Sequence, residues 1–563
     1  MKLILPAALL ALCISDVHAA KAVHKAAKPP TQAQIMEAAL RKIDGASLLE
    51  QVTTLASDEF EGRAPGTHGE AVTIEYLQRQ FKKLGLEPGN PDGTYLQAVP
   101  LLGISSHPAL SYAKDGQVTP LKFGDDYVAW TARAETQTEI AGSELVFVGY
   151  GVQAPEFKWD DYKGADLKGK TLVMLINDPP VADPKRPKLL DPTVFGGEAM
   201  TYYGRWNYKF EMAAKLGAAG ALIVHEPKAA AYPYEVVLNS WGRENFTIKD
   251  KTPAPDLPTL PGWLRHDSAR ALFKAAGLDL DTLKKQAASR GFHPVPLGLK
   301  LGVTMPNAVR ELASNNVVGK IPGSDPQLKH EVVVYTAHWD HFGIDEALPG
   351  PRTQQIFHGA VDNATGVAAL LQIAKAYKSL PTAPKRTILF VLTTAEERGL
   401  LGARYYARNP LYPLDKTILN INVDGLNMWG RTRDVELSGM GKSSADELVV
   451  AVAEKQGRTV RPETNIDYGS YYRGDQFEFA RAGVPVIYLR SGTNYIGKPA
   501  SYGKERLLHY TAHQYHTVND IVQPKWDTSG AEEDVELLFQ AGYRAAQAKD
   551  QPKWKAGAEF QRR

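Results

Sequence analysis

Cysteine is almost missing from this 563-residue chain. The single one, Cys13, lies inside the first apolar run. A chain cleaved behind that run has no disulfide, so core size rather than covalent staples must hold the fold. An excess of one charge is missing too. Sixty-five Lys and Arg face 63 Asp and Glu, for a formal net charge of +2. That balance removes the electrostatic argument for nucleic acid or an anionic membrane as partner. Past residue 19 no segment offers the ~20 consecutive apolar residues that a bilayer span needs, so no integral membrane segment is expected in the mature chain. No internal repeat is visible.

Residues 1–19 have the form of a secretory signal peptide: Lys2, an apolar core over 3–14, then Val17-His18-Ala19 as a small-residue cleavage site. This predicts a bacterial protein exported to the periplasm or the medium. Residues 20–33 are short, basic and Pro-containing, and read as a disordered leader. The length exceeds one typical core, so two or three domains are expected, and 44% apolar residues is ordinary for a globular protein.

A helical spacing covers 35–53. A turn-rich loop follows, SDEFEGRAPG, whose Asp58, Glu59 and Glu61 read as solvated. Residues 70–84 form an amphipathic helix with Ile74, Leu77, Phe81 and Leu84 on one face and Gly85 as its stop. From about residue 140 the texture changes to strands at 145–148, 171–176 and 218–224, a Pro/Gly-rich loop and a helix at 207–217. That stretch has no cluster of metal ligands: Asp160 and Asp161 read as turn caps, and His225 as structural. Residues 317–321 read as the hairpin partner of a strand at 332–336. Further strands are expected at 387–394, 417–423 and 484–489, with helices at 365–379, 400–408, 443–456, 475–482 and 531–548. A His- and Tyr-rich loop covers 509–520, and the polar tail 551–563 is expected to fray. Strands alternating with helices predict an α/β fold, a mostly parallel central sheet with helices on both faces.

The chemistry gathers at the ends of these strands. The first ends in His338-Trp339-Asp340. After a loop, Asp362 precedes the next helix. The strand TILFVLTT runs straight into Glu396-Glu397, the next ends at Asp424, and the late loop carries His516. Open α/β sheets place their sites at carboxyl strand ends. Two adjacent carboxylates at a buried strand end need a partner or a cation, and His with carboxylates suits zinc. A carboxylate on the far ring nitrogen would fix such a His. His341 and His358 lie beside the motif and read as bystanders. His509, His513 and His516 are equivalent on chemistry alone.

Taken in order, HWD, GAVDNATG, AEE, NVD and YHTVND resemble the motifs of peptidase family twenty-eight, co-catalytic di-zinc exopeptidases that are mostly aminopeptidases. The resemblance implies a zinc exopeptidase domain over 34–135 and 290–550. Residues 136–289 resemble the smaller, β-rich protease-associated domain that the family often carries as an insertion. It implies two Zn2+ ions, with Asp362 bridging them, His338 and Asp424 holding one, and Glu397 and His516 the other. Glu396 would be the general base, Asp340 would orient His338, and Tyr515 would either hydrogen-bond the scissile carbonyl or simply bury its ring. The motif match selects His516 from its cluster. The implied substrates are peptides with a free N-terminus. Oligomeric state is not implied.

Two zinc ions some ~3.5–4 Å apart lower the pKa of a water and stabilise the tetrahedral oxyanion, while a carboxylate must take that water's proton and pass it to the leaving amine. The chain departs from the family pattern twice. The segment between Asp340 and Asp362 is long, and Gly474-Asp475-Gln476 stands where the family often has Ser-Asp-His; Asp475 is expected to cap its helix. The alternatives are a carboxypeptidase of the same superfamily, a glutaminyl cyclase, or a catalytically silent binding protein on this fold.

Overall fold

The computed structural model describes residues 30–250 and 256–560; the expected signal peptide and most of the expected leader lie outside them. Six strands carry the site. In chain order they are β1 (Leu96–Ser106), β2 (Val295–Ile321), β3 (Val332–His338), β4 (Thr387–Thr393), β5 (Thr417–Asn422) and β6 (Val486–Ser491). β3, β4 and β5 are buried along their entire length. That is why their sequences are continuous apolar runs rather than alternations.

β3 lies between β4 and β5 and is parallel to both, with Val332 opposite Thr387 and His338 opposite Thr393 on one side and Thr336 opposite Asn422 on the other. β6 is parallel to β5. The carboxyl ends of these four parallel strands therefore share one edge of the sheet. The expected hairpin between 317–321 and β3 does not form. Residues 317–321 of β2 run antiparallel to β4, with Val317 opposite Leu392. The apolar pattern identifies both strands but not which neighbour each takes, since β4 presents an equally apolar edge.

The helix Thr365–Lys378 is buried on almost every face, as its Ala- and Leu-rich sequence requires for a helix inside the core. It packs with Gly45–Leu55 and Ser529–Gln547. At the centre of this layer Tyr335 stacks on Phe390 at 5.5 Å, and its hydroxyl donates to the Leu538 carbonyl at 3.0 Å.

A second apolar core is built from residues 110–305, including Phe147, Val173, Leu222 and Trp263. Its strands Gln137–Phe147, Thr171–Leu175, Gly220–His225 and Leu260–Arg265 pair in parallel in that order. β2 joins the two halves. Its residues 295–306 pair with Gln137–Phe147 and its residues 307–317 with β1.

Local departures from expectation have local causes. The helical stretch 35–53 is two helices, Gln32–Leu40 and Gly45–Leu55, because Asp44 caps the second by accepting from Ser47 N at 2.8 Å. The first starts inside the expected leader, capped by Thr31 and Gln34. The loop expected at 509–520 begins as the helix Tyr502–His513. The tail is docked rather than frayed up to residue 560: Trp554 donates to the Gly483 carbonyl at 2.9 Å, and Lys442 pairs with Glu559 at 2.9 Å.

Candidate metal centre

The shared strand edge brings six of the expected residues together. His338, the last residue of β3, points Nε2 to within 3.2 Å of Asp362 Oδ1, 3.4 Å of Asp424 Oδ1 and 4.0 Å of Glu396 Oε2. His516 Nε2 lies 3.3 Å from Asp362 Oδ2 and 3.1 Å from Glu397 Oε2. Each oxygen of the Asp362 carboxylate thus faces a different imidazole.

Why the chain folds this way can be read locally. Gly359 takes φ +57°, and a Cβ there would lie 2.2 Å from the Asp362 carbonyl oxygen, so only glycine turns the chain into the segment carrying Asp362. Asp520 holds that segment from the other side, accepting from Val361 N at 3.1 Å and Asp362 N at 3.0 Å. Asn363 ties it to the end of β5: its Nδ2 donates to the Val423 carbonyl at 2.9 Å, and its Oδ1 accepts from Gly425 N at 3.0 Å. After β4, Ala395 adopts φ +51°. That turn separates the adjacent acids, so that Glu396 faces His338 while Glu397 faces His516.

Asp340 is fully buried, and its contacts differ from a simple carboxylate–imidazole pair. The Asp340 backbone carbonyl lies 3.1 Å from His338 Nδ1, with the carboxylate at 3.8 Å. The carboxylate accepts from Glu396 N at 3.0 Å and Glu397 N at 3.4 Å. One residue therefore orients both the imidazole and the turn that carries the two glutamates.

Four carboxylates and two imidazoles meet here, all largely buried. Burial and the carboxylates of Glu397 and Asp424 raise Glu396 well above the usual carboxylate range, against the pull of His338. Burial would also raise Glu397, but His516 and His341 bring it down to about 2. His338 is driven down by burial and further up by Glu396, Asp362 and Asp424, so it ends well above an ordinary imidazole. His338 Nε2 is buried with no hydrogen-bond partner. Two sets of donor atoms, His338/Asp362/Glu397 and His338/Glu396/Asp424, lie close enough to hold a cation. Buried carboxylates of this number need positive charge among them, and imidazole nitrogen with carboxylate oxygen is a donor set suited to zinc.

Of the three late histidines, His509 and His513 are exposed on their helix and only His516 is buried at the site. Tyr515 stacks on His516, ring centroids 3.8 Å apart, and burial with the nearby Asp362 and Glu397 keeps its hydroxyl protonated.

Sequence reasoning missed four contributors. His341, read as a bystander, places Nδ1 2.6 Å from Glu397 Oε1; its position three residues after His338 was the available signal. Arg63 is fully buried and donates to the carbonyls of Leu55, Trp339, His358 and Gly359 at 2.6–2.9 Å, pinning the loop SDEFEGR against the segments that carry His338 and Asp362. Ser240, at the end of the helix Tyr234–Trp241, puts Oγ 3.2 Å from His516 Nδ1. Asn239 beside it donates to the His516 carbonyl at 3.2 Å. No sequence motif signalled these last two. Two minor expectations change as well. Asp475 stands at the N-cap of the helix Gln476–Arg481, but its buried carboxylate accepts from Thr393 Oγ1 rather than from that helix. Asp161 is more than a turn cap, since it is buried and accepts from Val152 N and Trp159 Nε1. His358 contacts Asp58 at 2.9 Å, away from the centre.

An open cleft of ≈ 1360 Å³ leads to the centre, lined by Asp362, Glu396, Asp424, Trp429, Tyr488 and His516 among others. Among the described residues no helix is long and apolar enough to cross a membrane.

Residues 316–539 match the model of Peptidase family M28. Among curated proteins, "Aminopeptidase NAALADL1" of Mus musculus is 32% identical over 142 residues, 24% of this chain and 17% of that protein. "Vacuolar membrane protease" of Phaeosphaeria nodorum is 25% identical over 181 residues, 31% of this chain and 17% of that protein. The matched stretches thus span about a sixth of these relatives' lengths. Among solved structures, an aminopeptidase from Aneurinibacillus sp. strain AM-1 superposes with a TM-score of 0.51 at 17% identity, covering 92% of this chain and 97% of that one. It shares the fold.

Proposed function

Residues 316–539 belong to peptidase family M28, and from that premise we propose that this chain is an exported zinc aminopeptidase that hydrolyses the N-terminal peptide bond of peptides. The observation that carries the reading is the placement of Asp362 between His338 and His516, one imidazole on each carboxylate oxygen. Two zinc ions would be held there by Asp362 together with His338 and Asp424 for one, and Glu397 and His516 for the other. Bound zinc supplies Lewis acidity and makes a water reactive at neutral pH.

The chain's own groups do the rest. Glu396 takes the proton of the attacking water and delivers it to the leaving amine, a role a carboxylate held beside the metal ligands can fill. Asp340 keeps His338 and the Glu396–Glu397 turn in place. Tyr515, protonated beside His516, donates to the scissile carbonyl. Residues 136–289 are an inserted protease-associated domain over one rim of the cleft, a reading supported by its separate core and by the contacts of Asn239 and Ser240 with His516. Export rests on residues 1–19, with cleavage behind Ala19.

The test is a pair of leucine p-nitroanilides. Zinc-loaded protein releases nitroaniline from the free-amine compound and not from its N-acetyl counterpart. Equal release from both would remove the exopeptidase reading.

A further inference from the structure

A second cavity, ≈ 650 Å³, opens between the 110–305 core and the metal centre. Its lining includes Arg205, Tyr232, Glu396, Arg473 and His516. Arg205 is 5% exposed, and its Nε is buried without a hydrogen-bond partner. The same holds for Nε of Arg473, whose Nη2 donates to the Ala230 carbonyl at 3.1 Å and whose guanidinium lies 5.1 Å from the centroid of the Tyr232 ring. No carboxylate pairs with Arg205 among the described residues. Burial, then the like charge of Arg473, bring it down to about 9.

Two guanidinium groups lining one cavity, each with a buried Nε donor left unused, are unfavourable unless an anion joins them. Apart from Glu396 and Glu397, which face the metal centre, no acidic residue lines this cavity. The larger cleft carries Asp424, Glu436 and Glu463, together with Arg473 and Arg490. The two openings meet at Glu396, Arg473, Tyr515 and His516; Arg205 lies only on the smaller side and Asp424, Glu436 and Glu463 only on the larger. A peptide lying across the centre would place its cationic N-terminus on the acidic side and its leaving portion on the basic side.

We propose that Arg205 and Arg473 form a carboxylate-binding subsite for the leaving portion of the substrate, taking either the C-terminal carboxylate of a dipeptide or an acidic side chain at the position after the scissile bond. The planar fork of arginine matches a carboxylate with two parallel hydrogen bonds. The subsite rests on the aminopeptidase reading and makes the enzyme selective for short or acidic peptides.

The test uses the zinc-loaded full chain and two matched pairs: Leu-Ala against Leu-Ala-amide, and Leu-Glu-amide against Leu-Gln-amide. The charged member of at least one pair is preferred by about tenfold or more in kcat/KM, the effect of one hydrogen bond to a charged group. The first pair reports a terminal carboxylate and the second a side chain. Arg205→Gln abolishes the preference, and Arg205→Lys restores part of it. Arg473→Gln, at a less buried site, weakens it and serves if the first variant fails to fold. Equal rates within both pairs, or a preference that survives Arg205→Gln, overturns the subsite. Failure to cleave any of the four peptides contradicts the aminopeptidase reading instead. The subsite is then judged by thermal shift, where acids that protect no better than their amides overturn it.

Discussion

Ser240 Oγ lies 3.2 Å from His516 Nδ1, across 276 positions of sequence. The hydroxyl belongs to the 110–305 half of the molecule and the imidazole to the proposed metal centre, so the second core reaches a proposed ligand directly. A partner on the far nitrogen fixes the tautomer and aim of a ligating imidazole. Ser240→Ala is therefore expected to weaken zinc binding about 10- to 100-fold, measured by competition with a chromogenic chelator, and Ser240→Thr to restore it. A purely structural role would lower the melting temperature and leave the competition curve unchanged.

The two adjacent glutamates should separate cleanly by substitution. Glu396→Gln removes the proposed proton carrier, and kcat is expected to fall by about 10²–10⁴ while zinc content stays the same. Glu397→Gln removes a proposed ligand that lies 3.1 Å from His516, so zinc content itself falls. Elemental analysis beside the rate assay distinguishes the two.

Much of this site is legible in the sequence because His338, Glu396, Glu397 and Asp424 sit at or just past the ends of fully buried strands. Apolar runs such as TILFVLT identify the strands, and the acids that break them stand out. The two glycines and the Asn of GAVDNATG are interpretable for the same reason: Gly359 needs its positive φ and Asn363 bridges to β5. Other features are not local and leave no such mark. The choice of β4 rather than β3 as the neighbour of 317–321 depends on the whole sheet. Ser240, Arg63 and Arg205 act through contacts made only when distant segments pack. His341 is adjacent to the motif, yet only the turn after β3 decides whether its ring reaches Glu397.

Removing the metal should cost stability. Without a cation, Asp362, Glu396, Glu397 and Asp424 face one another in a buried site. Zinc binding only the folded chain stabilises by about 2.7 kcal/mol at a hundredfold excess over Kd. Calorimetry should show a melting temperature that falls on adding chelator and climbs with the logarithm of free zinc. A melting temperature independent of zinc would contradict this.

Stability should also depend on pH away from the metal centre. His225 is buried among Tyr232, Tyr234 and Trp263, and burial brings it from 6.5 down to about 4. The unfolded chain binds a proton there between those two values and the folded chain does not. Stability from this group is complete above about pH 6.5 and is lost as pH falls toward 4, by on the order of 3 kcal/mol in all. Denaturant melts of His225→Gln between pH 4 and 7 should show a shallower pH slope than the parent. An unchanged slope would assign the acid sensitivity elsewhere.

The most direct test of the central claim is product mass spectrometry on a mixture of unblocked, N-acetylated and Gln-initiated peptides, with and without a chelator. The account predicts stepwise loss of N-terminal residues from the unblocked peptides only, abolished by the chelator and restored by zinc. Loss of C-terminal residues, loss of ammonia from the Gln peptides, or no product from zinc-loaded protein would contradict it.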